Sequence, residues 1–501
     1  MSALARARGP IASGALAALA FPPFDLGPLV LVAPVPLLLA WRTASGPRQA
    51  AAQGFVAGVV YFGVVLSWSW FVGAVAYAPF VLAVAAYWAG AGALVGLLGR
   101  RRPAGPWTVA SVWVLLEALR GRWPFGGVSW GELGYALHDT PWVRSGAAWG
   151  GVLLLSFAIL VFAGFLTDAL GRVRAGERRR ALRPMLSAAA VLAALALSHV
   201  ALPATTATRT LRVAVVQGND LNRDLTGTEL RNRYLPRNHL RLARALERPV
   251  DLVVLPESSL DEDPRLDRSL DTALGALARR LDAAVVANAA VETNGGRRLH
   301  NTNFLYDPSG ALVDTYIKRH LVPYGEWVPG RRFLEGLVPQ LEQIPRDFAP
   351  GPGHRIFEIG GVPVANLICF ESAFTEIARE YAHDGAEVLL VSTNNRSFQR
   401  SANSAQHIAI GQIRAIETGR PLVQAAISGR SAFVSADGDV EATTALFDPT
   451  TLTRSVTGRS GRTPYVVLGD WMILLAGVIV GAGAWRTTRT GGRFAPSPGD
   501  S

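Results

Sequence analysis

Eight apolar runs divide the chain and constrain its fold more than any other feature. Since a helix needs about 20 mostly apolar residues to cross a bilayer, runs of this kind predict transmembrane spans, although some fall short of that length. The composition agrees, with 50% hydrophobic residues, 17% charged residues and a mean hydropathy of +0.24. We predict a seven-span membrane domain over residues 1–202 and a last span over 465–485. The runs cover residues 11–22, 27–41, 50–73, 78–99, 106–119, 145–169, 184–202 and 465–485.

Arginine residues mark one side of this predicted membrane domain. By the positive-inside rule both termini lie in the cytoplasm, residues 203–464 lie outside, and residues 486–501 form a cytoplasmic tail. The connection between runs five and six also carries arginines, which weakens the pattern without reversing it. Outside residues 203–464, most of the basic excess within the net charge of +11 therefore reflects topology and not nucleic-acid binding. The arginine clusters lie at Arg6 and Arg8, Arg42 and Arg48, Arg100 to Arg102, residues 172–183 and residues 486–493.

The first 20 residues allow two interpretations. A basic start, an apolar stretch and the sequence ALA fit either a retained helix or a cleaved signal peptide. We favour a retained helix, because the sequence FPPFDLGP that follows is typical of a tight turn into the next span. Removal of the segment would leave every later span in the same orientation.

The connection between runs five and six is rich in aromatic residues and glycine. Trp123, Trp130, Tyr135 and Trp142 lie within the sequence LRGRWPFGGVSWGELGYALHDTPWV. Such a segment suits the outer membrane–water interface, where aromatic rings sit at headgroup level. Two roles are possible for this segment: an aromatic belt at the interface, or the handling of lipid.

Residues 203–464 have the pattern of an exported α/β domain. Short β-branched runs alternate with arginine-rich helical stretches such as 229–248 and 265–281. Several runs are apolar throughout, which indicates strands buried on both faces of a sheet. The predicted strands lie in the sequences LRVAVVQGN, VDLVVLPESS, AAVVANAAV, TNFLYDPSG, ALVDTYIK, VPVANLICF, EVLLVSTNN, PLVQAAISG and SAFVSADG.

Three reactive side chains stand just beyond the carboxyl ends of predicted strands, where active sites of open α/β sheets lie. Glu257 follows DLVVLP, Lys318 follows LVDTYI, and Cys369 follows VANLI. A thiol with an ordinary pKa of about 8.5 is mostly protonated at neutral pH, so attack by Cys369 requires a base, which Glu257 can supply. Attack on a carbonyl develops an oxyanion. Lys318 and the backbone N–H after Cys369 can stabilise it, at about 3 kcal/mol per donor.

Two of these residues are the only ones of their kind. Cys369 is the sole cysteine, so the chain forms no internal disulfide, and Lys318 is the sole lysine among 49 basic residues. A compact ammonium approaches a developing charge end-on and exchanges a proton, whereas guanidinium binds carboxylates as a planar fork. The lysine therefore points to a chemical requirement at position 318, with chance retention as the alternative.

The arrangement resembles the nitrilase superfamily with its Glu-Lys-Cys triad. Nearly the whole chain resembles the apolipoprotein N-acyltransferases, the bacterial enzymes that finish lipoprotein maturation. The motif KRHLVPYGEWVP is very specific evidence for this family, whereas the motif PES alone would be weak evidence. The resemblance implies a multi-pass protein of the bacterial cytoplasmic (inner) membrane, with eight spans and an exported nitrilase-like αββα sandwich before the last span. The matching sequences are VVQGN, LPESS, YIKRHLVPYGEWVP, NLICFES, VSTNN and RAIETGRPLVQAAISG.

The resemblance also implies a ping-pong reaction. Cys369 accepts an acyl chain from a phospholipid as a thioester, and the α-amine of a diacylglyceryl apolipoprotein then takes that chain. Glu257 is implied as the general base and Lys318 as the oxyanion stabiliser, with Glu326 and Glu371 as supporting carboxylates. The alternatives are a solvated loop glutamate for Glu326 and a favourable charge at a helix start for Glu371.

The resemblance further implies substrate-binding residues at Tyr324, Trp327, Phe370 and Asn395. The first three would form an apolar rim, although such residues are more often packing residues. No cofactor, metal or nucleic acid is expected, because the sequence has neither a Cys/His cluster with metal spacing nor a phosphate-binding glycine loop.

Two segments depart from the family pattern. After VSTNN the chain reads RSFQRS, without the tryptophan that family members often carry, and the arm after VVQGN reads DLNRDLTGT, without the frequent aromatic residue. Both segments, 396–401 and 220–228, are expected to border the lipid site. The departures therefore bear on which acyl donor is preferred and on how a lid would cover the site. They leave the three triad residues unchanged.

Two other functions fit parts of this sequence. A membrane-tethered amidase would use the same triad with water as the second acceptor, although eight spans are excessive for a tether. A transporter or binding protein with an inactive nitrilase-like domain would need ionisable groups inside the membrane, for which Glu117 is the best candidate. The presence of all three reactive residue types argues against an inactive site.

Overall fold

The computed structural model describes residues 3–100, 102–202, 205–220, 233–334 and 345–489. Within these ranges a helical portion, built from the first 202 residues and the C-terminal helices, adjoins a portion with two β-sheets. The α-helices are α1 (Ala3–Leu19), α2 (Val35–Arg42), α3 (Pro47–Val65), α4 (Ala74–Leu98), α5 (Pro106–Arg120), α6 (Pro141–Arg144), α7 (Ala147–Arg174), α8 (Arg178–Val200), α9 (Tyr234–Arg244), α10 (Arg268–Leu281), α11 (Arg331–Leu334), α12 (Thr375–His383), α13 (Asn403–Thr418), α14 (Pro464–Leu468) and α15 (Trp471–Arg489). Short 3-10 helices span Gly27–Leu31, Ser67–Val72, Leu133–Leu137, Cys369–Ala373 and Arg396–Phe398.

Three of these helices, α4, α7 and α8, are long and apolar enough to cross a membrane. This agrees with a membrane domain in the N-terminal part of the chain. Other predicted spans are interrupted: the run 27–41 is a 3-10 helix followed by α2, and the run 465–485 is divided between α14 and α15 at Gly469, where φ is +62°. The number of crossings stays a prediction.

Helix α7 bends sharply near its start. Gly150 and Gly151 have non-helical backbone angles, and Gly151 has φ of +68°. A Cβ at Gly151 would come within 2.7 Å of the Tyr465 ring, so glycine is required for both conformation and space. The bend frees the Val152 N–H, which donates to the Glu417 carboxylate at 2.8 Å. The sheet-bearing portion thus supplies a hydrogen-bond acceptor to a membrane helix.

Twelve strands form two six-stranded sheets within the described residues. The first sheet has the order β12-β1-β2-β3-β4-β5 and the second has the order β11-β10-β9-β8-β7-β6. Parallel pairing of β1, β2 and β3, and of β7, β8 and β9, places the carboxyl ends of these strands at a common edge in each sheet. The strands are β1 (Thr206–Gln217), β2 (Leu252–Val254), β3 (Ala284–Thr293), β4 (Arg298–Tyr306), β5 (Leu312–Ile317), β6 (Ile356–Ile359), β7 (Val362–Ile368), β8 (Val388–Thr393), β9 (Leu422–Ala426), β10 (Ala432–Val434), β11 (Val440–Thr443) and β12 (Thr450–Ser460).

The sheets pack face to face, with helices on both outer surfaces. Val215, Val254 and Leu390 belong to the apolar core between the sheets. Leucines of α10 cover the outer face of the first sheet. Apolar residues of α12 and α13 cover the second sheet and share one continuous core with the membrane helices. This layering confirms the predicted nitrilase-like two-sheet sandwich and shows that its second helical layer is also its contact with the helical portion.

Nine of the twelve strands lie in the predicted sequences, and three were missed: β6, β11 and β12. β6 and β11 are edge strands of four residues, and β12 is rich in threonine and arginine with one face partly exposed, so none has a strong apolar pattern. The helical stretches 229–248 and 265–281 contain α9 and α10. Most of the arm 220–228 and most of the tail 486–501 lie outside the described residues.

Helix α13 joins the two portions through polar side chains. Gln406 accepts a hydrogen bond from Trp130 Nε1 at 2.8 Å and donates to the carbonyls of Pro22 and Val65. Further along the helix, Arg414 donates to the Tyr135 hydroxyl at 2.6 Å. Trp130 and Tyr135 are buried, so these two residues of the aromatic segment form a packed joint rather than an exposed belt.

Candidate active site

Glu257, Lys318 and Cys369 converge at one edge of the sandwich. Glu257 lies three residues after β2, Lys318 directly follows β5, and Cys369 directly follows β7. Two of these strands belong to the first sheet and one to the second, so face-to-face packing of the sheets brings the three side chains together. Glu257 and Lys318 both lie close enough to the Cys369 thiol for their charges to shift its pKa.

The Lys318 ammonium is buried between two carboxylates. Its Nζ lies 2.9 Å from Glu326 Oε1 and 3.5 Å from Glu257 Oε1, and the residue is 1% exposed. Burial alone would lower the pKa of Lys318, but the two carboxylates outweigh it and hold the pKa above its ordinary value. The lysine therefore carries a fixed positive charge inside the site.

Two donors besides Lys318 hold the Glu257 carboxylate in place. Oε1 accepts from Asn301 Nδ2 at 2.7 Å, and Oε2 accepts from the Asn394 backbone N–H at 2.8 Å. Burial raises the pKa of Glu257, although the charge of Lys318 opposes that effect. A carboxylate of raised pKa is a stronger base than a solvated one, which suits it to accept a thiol proton.

Asn301 is a site residue that the sequence analysis missed. Its amide group donates to both Glu257 Oε1 and Glu326 Oε1, at 2.7 and 3.0 Å, and so fixes the two carboxylates on either side of Lys318. Asn288 in turn donates to Asn301 Oδ1 and Asn303 Oδ1, both at 2.9 Å. Asn288 gave a signal in the sequence, because it interrupts the apolar run of β3 and a buried polar group requires partners, whereas Asn301 lies among other polar residues of β4 and gave none.

Cys369 occupies a strained turn between β7 and a 3-10 helix. Its φ is +54°, in the left-handed region that non-glycine residues rarely adopt. Burial and the negative charge of Glu257 raise the pKa of Cys369 to about 12, although Lys318 opposes them. At neutral pH the thiol is therefore protonated at rest, and it becomes a nucleophile only as its proton moves to a base.

Glu371 is buried and ties two of these segments together. Oε1 accepts from the backbone N–H groups of Arg319 and His320, at 2.8 and 3.1 Å, while Oε2 accepts from that of Ile368 at 2.7 Å. The Tyr316 hydroxyl donates to the same carboxylate at 2.9 Å. One side chain thus fixes the backbone next to both Lys318 and Cys369, which is more than a charge at a helix start.

The three predicted rim residues lie around this cluster. Tyr324 is exposed, while Trp327 and Phe370 are half-buried. The Trp327 ring packs edge-on against Phe125 with centroids 6.1 Å apart, and Phe370 packs in the same way against Phe374 at 4.9 Å. Phe125 belongs to the connection between α5 and α7, so the rim is shared with the helical portion.

Asn395 is placed differently from the rim residues. It is 4% exposed, and its Nδ2 donates to Asn403 Oδ1 at 2.7 Å at the start of α13. A substrate-binding role for it stays a prediction. The neighbouring segment 396–401, which lacks tryptophan, instead provides Phe398, whose ring lies 4.7 Å from that of Trp68 in the helical portion. Among the described residues, no group of three or more His, Cys, Asp or Glu side chains is arranged to hold a metal ion.

Two sequence profiles match this chain, and together with the fold they define its class. Residues 212–465 match the family described as carbon-nitrogen hydrolase, and residues 13–165 match the apolipoprotein N-acyltransferase N-terminal domain. The protein is therefore a carbon-nitrogen hydrolase-fold protein joined to a helical domain characteristic of lipoprotein acylation. Among solved structures, the chain is similar to Nit3 of Saccharomyces cerevisiae (17% identity, TM-score 0.39, covering 50% of this chain and 91% of that one) and to an amidase from Nesterenkonia sp. AN1 (20% identity, TM-score 0.38, covering 49% and 90%).

Similar curated proteins extend over nearly the full chain. Apolipoprotein N-acyltransferases of Pseudomonas syringae, Geobacter metallireducens and Methylococcus capsulatus are 30%, 31% and 32% identical, covering 93%, 95% and 94% of this chain and 93%, 94% and 94% of those proteins. The chain belongs to the apolipoprotein N-acyltransferase family.

The bonds of Glu371 predict the effect of replacing its charge. Glu371→Gln substitutes an amide donor for one carboxylate oxygen, so a backbone N–H beside Lys318 or Cys369 loses its acceptor, at a cost of about 1–3 kcal/mol. We expect a lower Tm in detergent and a reduced rate of acyl transfer. Glu376→Gln, an exposed carboxylate on α12, is the matched control. Equal Tm and rate for the two variants would show that Glu371 does not position the site.

Proposed function

We propose that this protein transfers an acyl chain from a phospholipid to the N-terminal amine of S-diacylglyceryl-cysteine apolipoproteins through a thioester on Cys369. The observation that carries the proposal is the convergence of the buried Glu257–Lys318 pair with the half-buried Cys369 thiol in a chain of this family. A fixed positive charge, a base and a protonated nucleophile are the three groups that acyl transfer requires.

In the first half-reaction, Glu257 takes the thiol proton as Cys369 Sγ attacks the acyl carbonyl carbon of the phospholipid. A C–S bond forms, and the carbonyl π electrons move to oxygen, where Lys318 Nζ and the Phe370 backbone N–H stabilise the charge. The intermediate collapses with cleavage of the ester C–O bond. The leaving lysophospholipid oxygen takes the proton from Glu257, which leaves a neutral alcohol and an acylated enzyme.

In the second half-reaction, the apolipoprotein amine attacks the thioester carbonyl. A C–N bond forms, the amine gives a proton to Glu257, and the C–S bond breaks. Glu257 returns the proton to the sulfur, which regenerates the resting thiol. Because its raised pKa makes Glu257 a better proton acceptor, one carboxylate can serve both half-reactions.

The same geometry would serve a membrane-tethered amidase, and the helical portion would serve a transporter. Family membership favours acyl transfer over both. The rim supports this choice, since Phe125 brings an exposed aromatic side chain of the helical portion to the edge of the site, where an acyl donor would enter from the bilayer.

The acylated intermediate is directly testable. After incubation of the purified protein with phospholipid, mass spectrometry is expected to find one acyl group on the Cys369 peptide, removable by neutral hydroxylamine because it is a thioester. Cys369→Ala should carry no adduct. Release of ammonia from small amides without an acyl adduct would instead support the amidase, and absence of both reactions would support an inactive site.

The single lysine predicts that a substitution which conserves its charge will still reduce activity. Lys318→Arg keeps the positive charge but cannot place a compact ammonium between Glu257 and Glu326, so we expect thioester formation to fall by about 10²-fold or more. The control is Arg319→Lys at the next position, whose side chain faces Glu380 and the Tyr381 ring. Adduct formation by Lys318→Arg at the rate of the control would contradict the oxyanion role.

We further propose that both termini are cytoplasmic and that residues 203–464 lie on the extracytoplasmic face of the bacterial cytoplasmic membrane. The arginine distribution and the three long apolar helices support this placement. Protease added outside intact spheroplasts is expected to cut within residues 203–464, with a cytosolic protein as the protected control. Cleavage only after rupture of the membrane would reverse the orientation.

A further inference from the structure

The peptide between Cys369 and Phe370 is held from its carbonyl side. The Ser372 hydroxyl donates to the Cys369 carbonyl oxygen at 3.0 Å. Because a peptide unit is planar and trans, the direction of this carbonyl also sets the direction of the Phe370 N–H. The hydroxyl of Ser372 therefore helps to determine where the Phe370 N–H points.

A histidine of α13 holds that hydroxyl. His407 Nε2 lies 2.6 Å from Ser372 Oγ, and both residues are 1% exposed. Since the single hydrogen of Ser372 Oγ goes to the Cys369 carbonyl, the imidazole must donate from Nε2. Burial lowers the pKa of His407 to about 4, so the ring stays neutral at physiological pH and keeps one N–H for this bond.

The second ring nitrogen of His407 and the face of its imidazole also have neighbours. His407 Nδ1 faces Thr393 Oγ1 at 3.5 Å, and Thr393 in turn interacts with the Cys369 thiol. The ring lies 5.8 Å from that of Trp130, which belongs to the helical portion and bonds Gln406, the residue before His407. Together with the bond to Ser372, these contacts restrict the rotation of the imidazole.

We propose that Ser372 and His407 are positioning residues that aim the Phe370 N–H at the oxyanion formed during acyl transfer. The inference rests on the proposed function. It extends the site from side chains that touch the substrate to a buried pair that sets the second oxyanion donor. Cys369 needs such support because its φ of +54° is unfavourable, and strained turns persist only where surrounding contacts over-determine them.

Two rates measured on the same protein separate this role from general support of the fold. Thioester formation from phospholipid passes through an oxyanion, whereas alkylation of Cys369 by iodoacetamide does not. Loss of a full oxyanion donor slows acyl transfer about 10²–10³-fold, so a misdirected donor in Ser372→Ala or His407→Leu should slow thioester formation about 10–100-fold. Alkylation is expected to stay close to the wild-type rate.

Conservative variants and a matched serine provide the controls. Ser372→Thr keeps the hydroxyl and His407→Gln keeps an N–H near Nε2, so both should recover part of the rate. Ser69→Ala removes another buried hydroxyl, which also bonds a carbonyl three residues earlier, at 2.7 Å, and should leave both rates unchanged.

Three outcomes would count against the proposals in different ways. Wild-type thioester formation by Ser372→Ala and His407→Leu would overturn this inference alone. Parallel loss of acylation and alkylation would also overturn it, because the pair would then support the thiol itself. A wild-type protein that is alkylated at Cys369 but never acylated would refute the proposed function instead.

Discussion

The buried ammonium of Lys318 is the charge around which the rest of the site is organised. A lysine with 1% exposure would be very costly without partners, and Glu326 and Glu257 supply them at 2.9 and 3.5 Å. Two carboxylates around one ammonium leave an excess of negative charge, which adds to the effect of burial in raising the pKa of Glu257. The cluster therefore keeps a positive charge and a strong base side by side without either neutralising the other.

Asparagine amides make this arrangement rigid. Asn301 donates to both carboxylates, and Asn288 holds Asn301 and Asn303 from the neighbouring strand. Neutral donors suit this task, because another cation would compete with Lys318 and another anion would repel both glutamates. The asparagine network thus lies on β3 and β4, between β2, which precedes Glu257, and β5, which precedes Lys318, while Cys369 comes from the second sheet.

The sequence pointed to three residues that the structure brings together, but not to the network that holds them. Glu257, Lys318 and Cys369 follow apolar runs, and the position of strand ends is visible in a pattern of hydrophobicity. Asn301 bonds residues that lie 25 and 44 positions away in the sequence, and Ser372 and His407 lie 35 positions apart. No local sequence pattern encodes pairings over such separations. The edge strands β6, β11 and β12 were not predicted for a related reason, since exposed or short strands need little apolar character.

The contact between the helical and sheet portions also lay beyond the sequence pattern. The apolar residues of α13 indicate that the helix is buried. They do not reveal that one side of it faces the second sheet, or that Gln406 and Arg414 bond residues of the helical portion. The glycine bend of α7 serves the same joint by offering the Val152 N–H to Glu417. The helix that carries His407 toward Cys369 is therefore also the helix that joins the sheet portion to the helical portion.

The solitary lysine and cysteine have a practical consequence for spectroscopy. Incorporation of isotopically labelled lysine would introduce one side-chain signal in the whole protein, and labelled cysteine would introduce one more, both from the candidate active site. Each resonance would be assigned without mutagenesis. The protonation of the ammonium and the conversion of the thiol to a thioester would then be visible in an intact enzyme embedded in lipid.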